Sequence, residues 1–299
     1  MGPGRSLVIV NPEAKHGETA KLLPVLTQLF ETLDHELVVT THIGHAVDIA
    51  AGAEGFDTVV AVGGDGTIHE VLNGLMTIPV ERRPAIALVP TGSGNDTRRT
   101  LGVSESLSEA VMQVTSGVRK PFDVILCNGV YANNSVALGL DARVTAKSVE
   151  YKVTKKRSGL WLYLSALIHV LLKEFYSHDV MIAWDDEEAQ PSRILIMALM
   201  NGPTYGGGFF IAPGAVPDDG LLEVCVIDPL SLPGAFLRLP FVIVGRHTGF
   251  KVVHMSRHRK VVVTSAVPLA GQIDGEVLME TRYQVELLPG AIDYIVPRS

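Results

Sequence analysis

Only two cysteines occur in 299 residues, Cys127 and Cys225, and both fall in apolar, strand-like runs where a buried thiol is the ordinary occupant. A disulfide-stapled scaffold is thereby excluded, and a reducing compartment fits. Charge is scarce as well, at 19% of residues against 47% apolar, which excludes a coiled coil or a disordered chain and leaves a globular one. A surplus of basic residues is missing: 25 Lys and Arg face 32 Asp and Glu, for a net charge of −7. Nucleic acid is therefore not an expected partner, because phosphate affinity comes from excess cations, and an anionic ligand must be met by a local site. No hydrophobic run reaches the ~20 residues that cross a bilayer. The longest, residues 160–172, contains Ser165 and His169 and stops at Lys173. Residues 1–6 pass straight into a short apolar strand with neither the apolar stretch nor the cleavage site of a signal peptide, so a cytoplasmic location is expected. Zinc spacing is absent among the ten histidines, and His254 and His258 sit in a basic stretch, residues 246–260, that reads as surface.

At roughly 150 residues per domain, the length suits two domains with a core each. Residues 7–10, 36–40, 58–62 and 85–89 are short β-branched runs without strict alternation, the pattern of parallel strands covered on both faces. Helical periods lie between them, such as Leu22, Leu26, Leu29 and Leu33, or Ile68, Val71, Leu72 and Leu75, as crossover helices require. Pro24 predicts a helix that starts near it or kinks there. Beyond about Pro121 the apolar segments at 124–127, 135–140, 193–200, 221–227, 260–264, 277–279 and 284–287 are punctuated by Gly, Asn, Asp and Pro, which predicts antiparallel β-structure with one helical insert at about 160–175. The expected organisation is an α/β domain over residues 1–122 and a β domain over 123–299, packed around a cleft, with the last residues free to return to the first domain.

The strongest chemical signal is Gly63-Gly64-Asp65-Gly66-Thr67, set between the strand at 58–62 and the helix at 68–75. Glycines at the carboxyl end of a parallel strand let the backbone turn sharply and present bare N–H groups to a phosphate, at the positive end of the next helix. Thr67-Ile68-His69-Glu70 also fits a capping box, in which Thr67 and Glu70 simply start the helix. Pro90-Thr91-Gly92-Ser93-Gly94-Asn95-Asp96 follows its strand in the same way, and Asn11-Pro12-Glu13-Ala14-Lys15-His16-Gly17 ends the first strand. These three turns should converge on the sheet edge where open α/β folds bind ligands. Arg98 and Arg99 come next, as phosphate contacts or as a solvated helix face. Neither the P-loop nor the dinucleotide fingerprint is present.

Asn11-Pro12, residues 63–67 with Glu70, residues 90–96, Asn201-Gly202-Pro203 with Gly206 to Gly208, residues 213–221 and Gln272-Ile273-Asp274-Gly275-Glu276 together resemble the diacylglycerol-kinase-like lipid kinases. That family holds the bacterial soluble diacylglycerol kinases and, more distantly, sphingosine and ceramide kinases. The resemblance covers nearly the whole chain, although Gly-Gly-Asp-Gly-Thr by itself is shared with NAD kinases and nearly with phosphofructokinases. It implies a Rossmann-like α/β domain of NAD kinase and phosphofructokinase type, a C-terminal all-β sandwich, and ATP held between them. By position it assigns Asn11, Thr41, Gly63, Gly64, Asp65, Gly66, Thr67, Glu70 and Ser93 to the nucleotide, and Asp65, Asp96, Arg99 and Asp123 to a polar catalytic network. The first loop departs from the family pattern, since Lys15-His16 stands where Gly-Lys is expected.

Pro217-Asp218-Asp219-Gly220-Leu221 is ordinary hairpin-turn chemistry on the residues alone. The resemblance instead implies a structural Mg²⁺ held by the Val216 carbonyl, Asp219 and the Leu221 carbonyl, oxygen ligands suited to a hard cation, with a second Mg²⁺ arriving on ATP. Asp274-Gly275-Glu276 is likewise a turn by composition, and the resemblance places the proton acceptor there, on Asp274 or Glu276. Lys152, Lys155, Lys156 and Arg157 ahead of an aromatic stretch read as a solvated entry to a packed helix or as a contact with anionic lipid. The expected function is an ATP-dependent lipid kinase that phosphorylates a hydroxyl of diacylglycerol or a related lipid, associated peripherally with a membrane surface and compatible with a homodimer. The alternatives are an NAD kinase, a family without an equivalent of the 90–96 loop, and a sensor that binds lipid or nucleotide without turnover.

Overall fold

The structure, a computed structural model, describes residues 4–155 and 159–298. Lys156 and Arg157 of the basic segment lie outside the described residues, as does the side chain of Lys155. The chain divides into two compact units, Met1–Phe122 with Gly290–Ser299, and Asp123–Pro289.

The first unit runs β1 (Ser6–Val10), α1 (Ala14–Phe30), β2 (His35–Val39), α2 (His45–Ala51), β3 (Thr58–Gly63), α3 (Asp65–Leu75), β4 (Ala85–Pro90), α4 (Asp96–Leu101) and α5 (Leu107–Ser116). Its strands pair in parallel in the order β4-β3-β1-β2, and Tyr294 of the returning chain adds a parallel pair with Ile86 beyond β4. β1, β3 and β4 are buried along their whole lengths, the physical reason that their sequences show no polar alternation. Val10 stands level with Val39 and Val62, and Gly63 with Pro90, so the loops after all four strands leave one edge of the sheet. The returning segment is tied into this unit by Arg119 to Asp293 (2.5 Å), by Arg83 to the Ala291 carbonyl, and by Phe122 against Tyr294.

Pro24 lies inside α1 without being its irregular point. That point is Lys15, His16 and Gly17, at φ of 53°, 58° and 81°, in a turn closed by Gly17 N–H to the Glu13 carbonyl and Ala20 N–H to the Pro12 carbonyl. Left-handed backbone at two residues with side chains costs about 1–2 kcal/mol each, so this loop stores strain at the carboxyl edge of the sheet.

The second unit contains β5 (Val118–Cys127, entering from the first unit), β6 (Val130–Ala132), β7 (Ser135–Gly139), α6 (Leu140–Lys155), α7 (Gly159–Lys173), β8 (His178–Trp184), β9 (Gln190–Ile194), β10 (Ile196–Met200), β11 (Leu222–Ile227), α8 (Leu232–Ile243), β12 (Val253–His258), β13 (Lys260–Ile273) and β14 (Glu276–Val296). Strands pair antiparallel in the order β12-β11-β10-β7-β13-β14. β13 pairs with β8 through its first half and with β7 through its last residues, across a register shift between Thr264 and Leu269. One strand thus serves two layers.

Successive residues of β10 enter different cores: Met197 and Leu199 join the sandwich interior around Tyr283 and Leu138, while Ala198 and Met200 join a second core under the helices. Side-chain alternation with both faces covered gives an unbroken apolar run. The helical layer is larger than the sequence suggests, three helices rather than one insert. α8 escaped sequence reading because it is apolar along most of its length and carries Pro233 and Pro240, the second inside the helix, where proline ordinarily argues against one. Both cysteines are buried, and burial pushes their thiols to about 12, which keeps them protonated and unreactive. Among the described residues no helix is long and apolar enough to cross a membrane.

Candidate active site

In the first unit the order β4-β3-β1-β2 reverses direction between β1 and β3, because the chain steps outward from β1 to β2 and then crosses back to β3 and β4. Loops leaving the carboxyl ends on either side of such a point diverge and open a crevice. The three loops read from the sequence meet here. Asn11 N–H donates to the Val62 carbonyl (3.0 Å) and its Nδ2 donates to Thr67 Oγ1 (3.0 Å), joining the first loop to the second. Thr91 and Gly92 N–H both donate to the Gly63 carbonyl (2.8 and 3.1 Å), joining the second to the third. Gly64 and Gly92 touch backbone to backbone: a Cβ on Gly92 would lie 2.4 Å from Gly64 Cα. Ser93 is half-buried in the same loop.

Asp65 places both carboxylate oxygens on the next helix, Oδ2 accepting from Asp96 N–H (3.1 Å) and Oδ1 from Thr97 N–H (3.0 Å), and so fixes the start of α4. Buried Asp96 in turn accepts from Arg99 Nη1 (3.0 Å), which also donates to the Gly94 carbonyl (2.7 Å). Asp65, Asp96 and Arg99 are therefore one network bracing the third loop. Arg98 is committed elsewhere, to the Val103 carbonyl and Glu105. The capping box does not form. Gly64 is the N-cap of α3, and the Glu70 carboxylate accepts from Gly44 and Ala46 N–H (3.1 and 3.2 Å), capping α2 instead of its own helix. Thr41 follows β2 at the same edge, its hydroxyl within 3.1 Å of the Nδ1 atoms of His42 and His45. Lys15 is exposed and paired with Glu18 (3.0 Å). Thr67 and Ile68 N–H donate to the Gly64 carbonyl (3.0 and 3.2 Å), which leaves the Asp65 and Gly66 amides as the ones without an intrahelical acceptor, and a Cβ on Gly66 would meet nothing within 4 Å, so open space adjoins them. This edge fits a polyphosphate.

Asp123 belongs to the second unit, buried, where its carboxylate accepts from Gly220 N–H (2.7 Å) and its own N–H donates to the Pro217 carbonyl (2.8 Å). It fastens the 213–221 loop. Asp219 gives one oxygen to Leu221 N–H (3.0 Å) and is exposed with Val216. One carboxylate with two main-chain carbonyls is an all-oxygen donor set of the kind Mg²⁺ accepts when water completes the octahedron, so these residues fit the ion. Asn201 Nδ2 donates to the Asp123 and Asn133 carbonyls (2.8 and 2.9 Å) and so ties β5 to the residues that precede β7.

Asp274 and Gly275 form the two-residue turn between β13 and β14, both left-handed at φ of 47° and 96°, with Ile273 opposite Glu276. The Asp274 carboxylate accepts from three consecutive amides, Asn133 (2.6 Å), Asn134 (3.0 Å) and Ser135 (2.9 Å). Glu276 is exposed. The two acids that the sequence could not separate differ sharply in engagement.

A feature missed from the sequence lies under the helices of this unit. A cavity of about 70 Å³ is walled by apolar side chains of α6, α7 and α8, among them Val144, Leu167, Leu171 and Leu239, with one carboxylate, Asp141. Asp141 accepts from the hydroxyl of Tyr163, Tyr205 also bonds to it, and Gln272 Nε2 reaches its other oxygen at 3.5 Å. Burial raises its pKa to about 6 against the lowering pull of Tyr163, Tyr205 and Gln272. Gln272 accepts from Gly275 N–H through Oε1 (2.7 Å), so one side chain links the cavity's acid to the turn before Glu276. The available signal was an acid closing the apolar run 135–140. Because the folded value lies above the ordinary 3.8, stability from the protonated carboxyl is full below that value and is lost as pH rises through about 6, a difference of about 3 kcal/mol. Asp141→Asn should therefore flatten the fall in melting temperature that the parent shows over that interval, and an unchanged pH profile in the variant would contradict the assignment.

Residues 5–127 match the family described as diacylglycerol kinase catalytic domain, and residues 134–296 match the YegS C-terminal NAD kinase beta sandwich-like domain. A diacylglycerol kinase of Bacillus subtilis is 29% identical over 278 residues, which cover 91% of this chain and 89% of that one. A Bacillus anthracis crystal structure, provisionally described as a diacylglycerol kinase, superposes with a TM-score of 0.80 at 28% identity, covering 98% of this chain and 97% of the other. An NAD kinase of Archaeoglobus fulgidus, solved with ATP, shares the fold at a TM-score of 0.54 and 18% identity, covering 97% of this chain and 93% of that one.

Proposed function

The chain belongs to the diacylglycerol-kinase-like lipid kinase family, and from that premise we propose that it transfers the γ-phosphoryl group of Mg-ATP to a hydroxyl of diacylglycerol or a closely related lipid. The observation that carries this reading is the meeting of three strand-end loops at the reversal point of the first sheet, with Asn11 bonded to Thr67 and Gly64 packed against Gly92. In this proposal the amides at the start of α3 receive phosphate oxygens, and the Asp65, Asp96 and Arg99 network keeps the third loop closed on them. Asn11, Thr41 and Ser93 border the same edge, while Glu70 acts by fixing α2 rather than by touching ATP.

The apolar cavity of the second unit, with Asp141, Tyr163 and Tyr205 at its polar end, is where the acceptor lipid enters; at about 70 Å³ it takes the end of an apolar chain and must widen to hold more. Glu276 takes the hydroxyl proton as oxygen attacks phosphorus and ADP departs. Asp274, with its oxygens already committed to three amides, holds the turn. Mg²⁺ arriving on ATP would supply neutralisation of phosphate charge, and a structural Mg²⁺ would be held by Asp219 and the Val216 and Leu221 carbonyls.

Purified protein incubated with γ-labelled ATP, Mg²⁺ and mixed micelles containing diacylglycerol should yield labelled phosphatidic acid. Label in NADP instead, or ATP binding without any labelled product, would replace the proposal with one of its rivals.

A further inference from the structure

Glu276 is exposed, and among the described residues its carboxylate bonds to nothing. Only the backbone of the turn therefore sets where it points. The Asp274 half of that turn is held twice by Ser135, whose N–H donates to the Asp274 carboxylate (2.9 Å) and whose carbonyl accepts from Asp274 N–H (2.9 Å). Among the described residues the Gly275 half is held by one side chain, Gln272, whose Oε1 accepts from Gly275 N–H (2.7 Å). An amide N–H can only donate, so the acceptor end of Gln272 must face Gly275 and its donor end must face inward, toward Ser135 Oγ (3.3 Å) and Asp141 Oδ2 (3.5 Å). Gln272 pairs in register with Ala137, on the side of the sheet that carries the core under the helices, and it is buried there.

At the inner end of these bonds, Asp141 is a costly residue for its place. Folding favours its protonated form, because burial raises its pKa to about 6, and above that pH the apolar cavity holds an ionised carboxylate at the expense of stability. Perturbed acids of this kind gather where a charge is used. As a carboxylate, Asp141 accepts from Gln272 Nε2 at 3.5 Å, the outer limit of a hydrogen bond. Tyr163 donates to Oδ1, so a proton added to the acid goes to the oxygen facing Gln272 and turns that acceptor into a donor. Two donors then face one another, and the Gln272 amide is pushed off the position that holds Gly275. Neighbouring groups do not supply this change. Burial holds Tyr163 and Tyr205 protonated, Arg238 of α8 keeps its charge, and His247, whose pKa burial lowers, bonds to the Ile211 carbonyl (3.2 Å). On the same helix as Asp141, Arg143 is engaged with His178 and the Tyr176 carbonyl.

We propose that Gln272 is a positioning residue that sets Gly275 and with it Glu276, and that Asp141 acts on the base through Gln272 rather than by touching the reacting atoms. That Glu276 is the base rests on the lipid-kinase reading; the coupling between Asp141 and the turn does not.

The coupling is read first without turnover, on the full chain. Three Asp-Gly pairs occur, at 65–66, 219–220 and 274–275, so labelling the Asp carbonyl carbon and the Gly nitrogen isolates the Gly275 amide by nuclear magnetic resonance. In the parent that amide should titrate through about 6, and in Asp141→Asn the titration should vanish. Its absence from the parent overturns the proposal, as does its persistence in the variant, where His247 would be the source. Turnover is then measured over the same interval. Parental kcat should fall as pH drops through about 6, and Asp141→Asn should hold kcat at the low acid-side level without that fall. Gln272→Leu should lower kcat about 10- to 100-fold, leave KM for ATP unchanged and abolish the same fall. A packing role for Gln272 would leave the fall in place and overturn the proposal. Added to Gln272→Leu, Asp141→Asn should cost no more than about twofold further, and losses that multiply overturn the shared route. Should Gln272→Leu not fold, the amide and kinetic profiles of Asp141→Asn decide alone. If the amide titrates as described but no labelled lipid forms, the kinase reading fails and the coupling stands.

Discussion

Glu276→Gln is expected to lower kcat by about 10²- to 10⁴-fold, the usual contribution of a positioned general base, with ATP affinity and melting temperature unchanged. Glutamine keeps the shape of an exposed side chain and removes only its ability to take a proton. Asp274→Ala should behave differently. It would strip the acceptor from three amides at residues 133–135 and release the turn, with a loss of stability on the order of 2–5 kcal/mol. Activity would then fall together with folding. Steady-state kinetics and thermal melts on both variants separate the roles. If Glu276→Gln stays active while Asp274→Asn remains folded and loses turnover, the proton acceptor is Asp274 and the assignment made from engagement is reversed.

Gly92→Ala should produce the second large effect. Its Cβ would be driven to 2.4 Å from Gly64 Cα and 2.9 Å from Asn95 Oδ1, so the two glycine loops must separate. Overpacking of this kind costs about 1–3 kcal/mol, and the parted loops should bind ATP at least about tenfold more weakly. Gly66→Ala makes the complementary test. Its Cβ meets nothing within 4 Å, so the fold should be untouched, and only a ligand occupying that space would register the added methyl. Calorimetry with ATP should therefore show a stable Gly66→Ala protein with reduced affinity. Undiminished binding would remove the phosphate from the start of α3.

Recognition of the loop-bearing edge of the first sheet needed little beyond local chemistry. Strand runs buried on both faces, glycines at their carboxyl ends and an acid inside the second loop are all properties of short segments, and segments of this type have few alternatives once the strands are parallel. The sandwich was legible for the same reason, since its short apolar segments are punctuated by Gly, Asn, Asp and Pro. Chain order alone decided these features.

Other assignments depended on which groups, distant in sequence, came within bonding distance. Glu70 fits a capping box by spacing, yet its carboxylate caps α2, because Gly44 and Ala46 offer it amides that its own helix start does not. Asp274 and Glu276 are equivalent acids in a turn until strand pairing delivers residues 133–135 to only one of them. Asp141 gained its raised pKa from burial, against the lowering pull of Tyr163, Tyr205 and Gln272, 22, 64 and 131 residues away along the chain. Local pattern specifies backbone conformation and the face a residue buries. Hydrogen-bond partners and desolvation arise only after folding has brought remote segments together, so the identity of the loops belonged to the sequence and the division of labour among their carboxylates to the tertiary structure.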